Sequence, residues 1–198
     1  YVLWLNRQSS DPRDSRFSPE EPWTPALDHL RTIGYQIVRM GHAASLERLP
    51  RSVVDMTVTS DLNRDGRRDL ELLRGCDFMM SSNSGPAVVA AALRIPTLQV
   101  NTIAVARNMI SSPSTFLSLP KHHMVSGRVL SASEIFGGNY GYMERPNDSR
   151  GLRLLPNSSA EILSGVRDLL NALTGWPSAT TGTNEASTEF LRLRKEFE

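Results

Sequence analysis

The stretch FMMSSNSGPAVVAAALRIPTLQVN, residues 78–101, does most to limit what this chain can fold into. Two short apolar runs flank a polar loop, Ser81-Ser82-Asn83-Ser84-Gly85-Pro86, and the small-residue helical segment PAVVAAALR, which Pro96 closes. Runs of this length that are apolar on both faces read as strands buried on both sides, the pattern of a parallel sheet. The same unit recurs along the chain. YVLWL (1–5), YQIVRM (35–40), a shorter run at 53–58 and CDFMMS (76–81) are further strands. Between them, Thr24 is placed to cap a helix with Pro25 at its first position, Leu27, Leu30 and Ile33 follow at helical spacing, and Gly34 ends it. A loop, SDLNRDGR, leads into a helix at 67–75, and GLRLLPNSSAEILSGVRDLLNAL reads as a strand, a cap in which Glu161 reaches back, and a long helix. Alternation of this kind predicts an α/β fold, a mostly parallel sheet with helices on both faces.

That fold directs attention to the loop at 81–86. In open parallel sheets ligands bind in the crevice outside the carboxyl ends of the strands. Here the loop leaves a strand and enters a helix, so its backbone N–H groups and the helix dipole form a seat for an anion such as a phosphate. Ser82 and Ser84 add hydroxyl donors, Asn83 an amide, Gly85 lets a ligand or the chain approach closely, and Pro86 fits the first turn. The plainer alternative is that Ser and Asn only cap the helix.

Composition removes several classes of function. With 22 Lys and Arg against 21 Asp and Glu the net charge is +1, which argues against bulk attraction to nucleic acid or anionic membrane. No apolar run reaches the length that spans a bilayer. A single cysteine, Cys76, excludes an internal disulfide and suits a reducing compartment; it reads as a small buried residue. There is no GxxxxGK[ST], no GxGxxG after the first strand, and no Cys/His set with zinc spacing. His122 and His123 are adjacent, and adjacent strand side chains point to opposite faces, so a shared metal is not expected. Gly137-Gly138 reads as a flexible loop, and the Asn-x-Ser triplets at 147 and 157 carry no weight without a secretory route. Residues 1–175 read as one domain, 176–185 as a linker and 186–198 as a charged terminal helix. The start at Tyr1 inside an apolar run suggests a piece of a longer, two-domain protein.

Several segments, in order, resemble a group of bacterial glycosyltransferases of GT-B-like fold found among genes for surface polysaccharides. LNRQSSDPRDSRF resembles its strand-then-Arg loop, which often reads His-x-Arg where this chain has Leu5-Asn6-Arg7. LRTIGYQIVRMG resembles its helix, Gly, strand, Arg-Met-Gly signature, and DLELLRGCDFMMSSNSGPAVVAAALRIPTLQVN its donor-site block. LPKHHMVSGRVLSASEIF and LRLLPNSSAEILSGVRDLL resemble the closing segments. The resemblance implies a Rossmann-like, donor-binding C-terminal half. Its expected activity is transfer of a sugar from a UDP- or GDP-sugar to a polysaccharide or lipid-linked carbohydrate acceptor, with no cofactor and no metal. It implies a missing N-terminal half for the acceptor, and a cytoplasmic location, free or at the inner face of the membrane.

A metal-free transferase must neutralise charge on the departing diphosphate, a task for arginines and helix N-termini. Arg7, Arg39, Gly41, Ser82, Asn83, Ser84 and Gly85 are the donor-site residues this implies. For both arginines the plain alternative is a salt bridge, and for Gly41 a tight turn. An inverting reaction also needs a base near the acceptor hydroxyl. Asp11 and Asp14 are the candidates, although the same loop could be turn chemistry, and the departure from His at Leu5-Asn6 removes one further candidate. Asp61 and Asp65 could touch a ribose or base but read better as a solvated turn, and Lys121 is a weaker phosphate candidate. Two other classes stay open: a nucleotide or phosphosugar binding module without catalysis, and a nucleotide-sugar epimerase-like enzyme.

Overall fold

The computed structural model describes residues 1–6, 15–41, 53–57, 66–104, 116–143 and 150–174. Among these, six strands form one sheet: β1 (Val2–Leu5), β2 (Ile37–Arg39), β3 (Val53–Asp55), β4 (Phe78–Ser82), β5 (Thr97–Thr102) and β6 (Phe116–Pro120). The spatial order is β3-β2-β1-β4-β5-β6 and every neighbouring pair is parallel. The order reverses between β1 and β4, so the chain winds outward in both directions from that junction. A crevice at the carboxyl ends of β1 and β4 is the topological consequence.

The sheet is apolar on both faces because β1 alternates its side chains between two cores. Val2 and Trp4 join Phe78, Met80, Leu98 and Val100 on one face. That face is covered by α1 (Thr24–Thr32), through Ala26, Leu27 and Leu30, and by α5 (Ser159–Thr174), through Ile162, Val166 and Leu169. Leu3 and Leu5 join Val38, Met40 and Met79 on the other, beneath Leu73 of α2 (Gly66–Gly75) and Ala90 of α3 (Gly85–Ala92). Each fully buried Leu or Ile contributes roughly 1.5–3 kcal/mol to this arrangement. Helix α5 comes so close to the sheet that a Cβ at Gly165 would lie 2.9 Å from Leu119 Cδ1. The expectation of an α/β protein with helices on both faces of a parallel sheet is met.

Three local details differ from the expectation. Thr24 is the first residue of α1 rather than its cap, because a 3-10 turn over Glu21–Trp23 leads straight into the helix. That turn buries Trp23 beside Trp4, ring centroids 6.1 Å apart, and tertiary packing thereby sets the helix start. Gly34 does end the helix region, at φ +95. Beyond β6 the chain builds a small antiparallel sheet from β7 (His122–Val125), β8 (Arg128–Val129) and β9 (Leu152–Leu155), in the order β8-β7-β9. Helix α4 (Ala132–Gly137) follows β8, so Gly137-Gly138 terminates a helix instead of forming a loose loop. The 176–185 and 186–198 segments lie outside the described residues.

Candidate functional site

The carboxyl edge of the sheet carries a dense set of buried polar side chains. The segment after residue 14 runs across it as a strap, contacting strands from one flank to the other. Arg39, at the end of β2, places Nη2 2.7 Å from Glu20 Oε1. Asn6, just past β1, donates from Nδ2 to the Ser18 carbonyl at 2.9 Å. Asn101 of β5 donates from Nδ2 to Ser18 Oγ at 2.8 Å, and Lys121, just past β6, donates from Nζ to the Phe17 carbonyl at 2.7 Å. All four of these side chains are buried.

A reciprocal asparagine pair ties β5 to the segment that leads into α5. The Asn101 N–H donates to Asn157 Oδ1 at 2.8 Å and the Asn157 N–H to Asn101 Oδ1 at 2.6 Å. Asn157 Nδ2 donates in turn to the Pro120 carbonyl at 2.8 Å. Asn101 sits at φ +56, where β5 slips register against β6; Asn tolerates this left-handed conformation better than most residues. Buried amides at this density are retained only when satisfied, since each unmade bond costs about 1–3 kcal/mol. The Asn157 triplet is therefore structural. Asn6 Oδ1, in contrast, is buried without a partner beside this junction.

Above the platform, β4 opens into the serine loop. In the register of the sheet Leu5 lies opposite Ser81, which brings Asn6 level with Ser82 at the reversal point. Ser81 and Ser82 are fully buried, Asn83 and Ser84 half-buried, and Gly85 exposed. Ser84 occupies the cap position of α3 in extended conformation, yet its side chain makes no capping bond to the helix. Its hydroxyl is spent elsewhere. Ser81 Oγ donates to the Ser82 carbonyl at 2.6 Å, so the 2.7 Å contact between Ser81 and Ser84 is one in which Ser84 donates. The plain reading of this loop as a helix cap thus fails for Ser84. With Pro86 in the first turn and no side-chain cap from Ser84, the N-terminus of α3 keeps its dipole at the carboxyl edge of the sheet.

Gly85 adds a second local fact. Its φ is not positive, and a Cβ built on it would meet no atom within 4 Å. Neither backbone strain nor packing demands glycine there.

Each remaining expected site residue has a definite place or lies outside the described set. Arg39 is 2% exposed, paired with Glu20, and its guanidinium carbon lies 5.5 Å from the Trp4 ring centroid. It works from within the platform. Gly41 takes φ +106, a conformation that L side chains rarely adopt, and so serves as a turn. Arg7, Asp11, Asp14, Asp61 and Asp65 lie outside the described residues. His122 and His123 do face opposite ways: His123 is buried with Nδ1 3.0 Å from the Lys121 carbonyl, while His122 Nε2 meets Glu161 Oε1 at the surface, 2.8 Å away. Burial pushes the His123 imidazole below its ordinary range. Cys76 is half-buried, and burial pushes its thiol up to about 11, which makes it an inert packing residue. No group of three or more His, Cys, Asp or Glu side chains is placed to hold a metal among the described residues.

No protein family and no curated protein matches the sequence. Solved structures do match the fold. A glycosyl transferase family 9 protein from Veillonella parvula DSM 2008 aligns with a TM-score of 0.54 and 17% identity over 85% of this chain and 45% of that one. The dodecameric iron-containing heptosyltransferase TibC of enterotoxigenic E. coli, solved with ADP-D-beta-D-heptose, aligns with a TM-score of 0.55 and 16% identity over 90% of this chain and 47% of that one. The chain thus spans less than half the length of these neighbours, and shares with them a mostly parallel α/β sheet with helices around it.

Proposed function

We propose that this chain is the donor-binding part of a GT-B-like glycosyltransferase that moves a sugar from a nucleotide diphosphate donor to a carbohydrate or lipid-linked acceptor, without a metal. The observation that carries the reading is the uncapped N-terminus of α3 at the reversal point of the sheet, with Ser84 turned away from its capping duty. Its fold neighbours include a heptosyltransferase solved with a nucleotide-linked sugar, which supports the same direction.

In this reading the N–H groups of Gly85 and Ala87 receive the diphosphate. The half-buried Asn83 and Ser84 border it, Gly85 leaves it room, and Asn6 Oδ1 offers a buried acceptor to a ribose or sugar hydroxyl. Charge developing on the leaving diphosphate is stabilised by fixed dipoles that need no reorganisation. Arg39 acts indirectly, by holding the strap through Glu20. Arg7 would supply the direct positive charge, Asp11 or Asp14 the base, and a second domain the acceptor site. A bare helix terminus also suits a nucleotide-binding module without turnover, and the same titration serves both readings.

The test is calorimetric titration of the chain with UDP, GDP, ADP and CMP, with and without EDTA, repeated on Ser84→Ala and Gly85→Val. Saturable, EDTA-insensitive binding of one diphosphate that Gly85→Val weakens by roughly tenfold or more supports the seat and identifies the base. Binding of undiminished strength in Gly85→Val places the nucleotide elsewhere and overturns it.

A further inference from the structure

The Gly-rich stretch after α4 builds a second concave site that the donor seat does not use. Helix α4 ends at Gly137, and Asn139, at φ +60, turns the chain back into a 3-10 turn over Tyr140–Tyr142. A Cβ on Gly138 would lie 2.5 Å from Tyr140 Cε2 and 2.6 Å from Cδ2. The tyrosine ring therefore rests directly on the Gly138 backbone, in a place that any side chain there would deny it. Together with the β7–β8 turn, this ring bounds a groove of about 660 Å³. That volume falls inside the roughly 300–1,000 Å³ typical of small-molecule sites.

The lining is chemically mixed. Val125 and Leu130 supply apolar wall, and Ser126, Arg128 and Glu134 supply polar groups. Arg128 meets Glu134 fork to fork, with Nη2–Oε1 at 2.6 Å and Nη1–Oε2 at 3.0 Å. The Ser131 N–H and hydroxyl both donate to Glu134 Oε2 at 2.8 Å. A carboxylate held from two sides fixes the guanidinium in turn. An anionic ligand would have to displace Glu134, and a cationic one Arg128. A neutral ring bearing hydroxyl groups displaces neither. Its apolar faces match Tyr140, Val125 and Leu130, and its hydroxyls find donors and acceptors on Arg128, Ser126 and Glu134.

We propose that the groove between the β7–β8 turn and Tyr140 is a carbohydrate subsite that holds a neutral sugar residue. Saccharide binding here stands on this groove alone; its role as an acceptor subsite rests on the transferase reading. Saturation-transfer NMR with glucose, galactose, mannose, rhamnose and N-acetylglucosamine at millimolar concentration, each presented to the full chain, tests it. The expected result is transfer to at least one sugar, abolished in Tyr140→Ala, preserved in Tyr140→Phe, and reduced by roughly tenfold in Arg128→Met. Gly138→Val, which pushes the ring off its seat, gives the same loss, while Gly85→Val leaves the signal intact and so separates this groove from the donor seat. Absence of transfer from the wild type with every sugar, or transfer that survives Tyr140→Ala and Gly138→Val, overturns the proposal.

Discussion

Helices α3 and α5 both begin beside the carboxyl edge of the sheet, and both are preceded by serines, yet their first turns are treated in opposite ways. At α5, Glu161 Oε2 accepts from the Ser158 N–H at 2.8 Å and from its hydroxyl at 2.7 Å, while the Glu161 N–H points back to Ser158 Oγ at 3.3 Å. Helix α4 repeats the device with Ser131 and Glu134. At α3 the residue in the Glu position is Ala87, and the cap serine bonds to Ser81. Two helix ends are closed by their own side chains; the one at the reversal point has no side-chain cap. A cap typically contributes about 1 kcal/mol, so leaving one out carries a cost that a bound anion recovers.

The coarsest way to break this contrast is to remove the platform beneath both ends. Arg39→Met leaves Glu20 without the guanidinium that faces it and removes the cation over Trp4. Loss of one partner of a buried pair costs about 3–5 kcal/mol, and chemical denaturation should show that loss together with weakened nucleotide binding. An unchanged midpoint would mean the strap is held by other contacts.

The next substitutions act on one end at a time and should separate stability from binding. Gly85→Ala, in open space, is expected to leave stability unchanged or raise it by up to about 0.5 kcal/mol while weakening a bound nucleoside diphosphate. Ser158→Ala should do the reverse, costing about 1 kcal/mol with nucleotide affinity intact. Parallel urea unfolding and calorimetry on the two variants would expose a failure of the contrast as a shared pattern.

Acid sharpens the comparison most gently. The Arg128 guanidinium, followed by the Ser131 N–H and hydroxyl, holds the Glu134 carboxyl down to about 2. At Glu161 burial pushes upward, but the bonds from Ser158 and His122 outweigh it and the carboxyl lies below its ordinary range. A carboxyl depressed in the folded state stabilises fully above the ordinary carboxylate range, and that stabilisation is lost as pH falls through the folded value. For Glu134 the window runs from about 4.5 down to about 2. The Ser131 amide resonance should titrate in that window and the Ser158 amide below the ordinary carboxylate range, while the Ser84 amide, with no carboxylate in its cap, should stay still.

What the sequence revealed and concealed follows from the range of the forces involved. The strands expected at 76–81 and 97–101 and the box at Ser158-Glu161 rest on local periodicity and spacing, and the structure has them within a residue or two, at 78–82 and 97–102. The same local reasoning could not see that Trp23 would be drawn against Trp4 and move the start of α1. The hairpin of β7 and β8 and helix α4 were hidden in LPKHHMVSGRVLSASEIF, although Ser131-x-x-Glu134 carried the capping signal. The serine loop was legible as a candidate because it joins a strand to a helix. Its open cap depends on where one hydroxyl points, which no spacing encodes. The network joining Asn6, Ser18, Asn101 and Asn157 was illegible for a related reason: isolated polar residues at strand ends look like turns until a distant segment brings their partners.

The most direct test of the open helix end is amide-resolved NMR of the chain during titration with UDP, GDP and ADP. The account predicts that one of these shifts the Ser84, Gly85 and Ala87 amides saturably and together, while the amides of Ser131 and Ser158 at the closed ends do not respond. Saturable binding that leaves Gly85 and Ala87 unmoved, or equal shifts at all three helix ends, would contradict it.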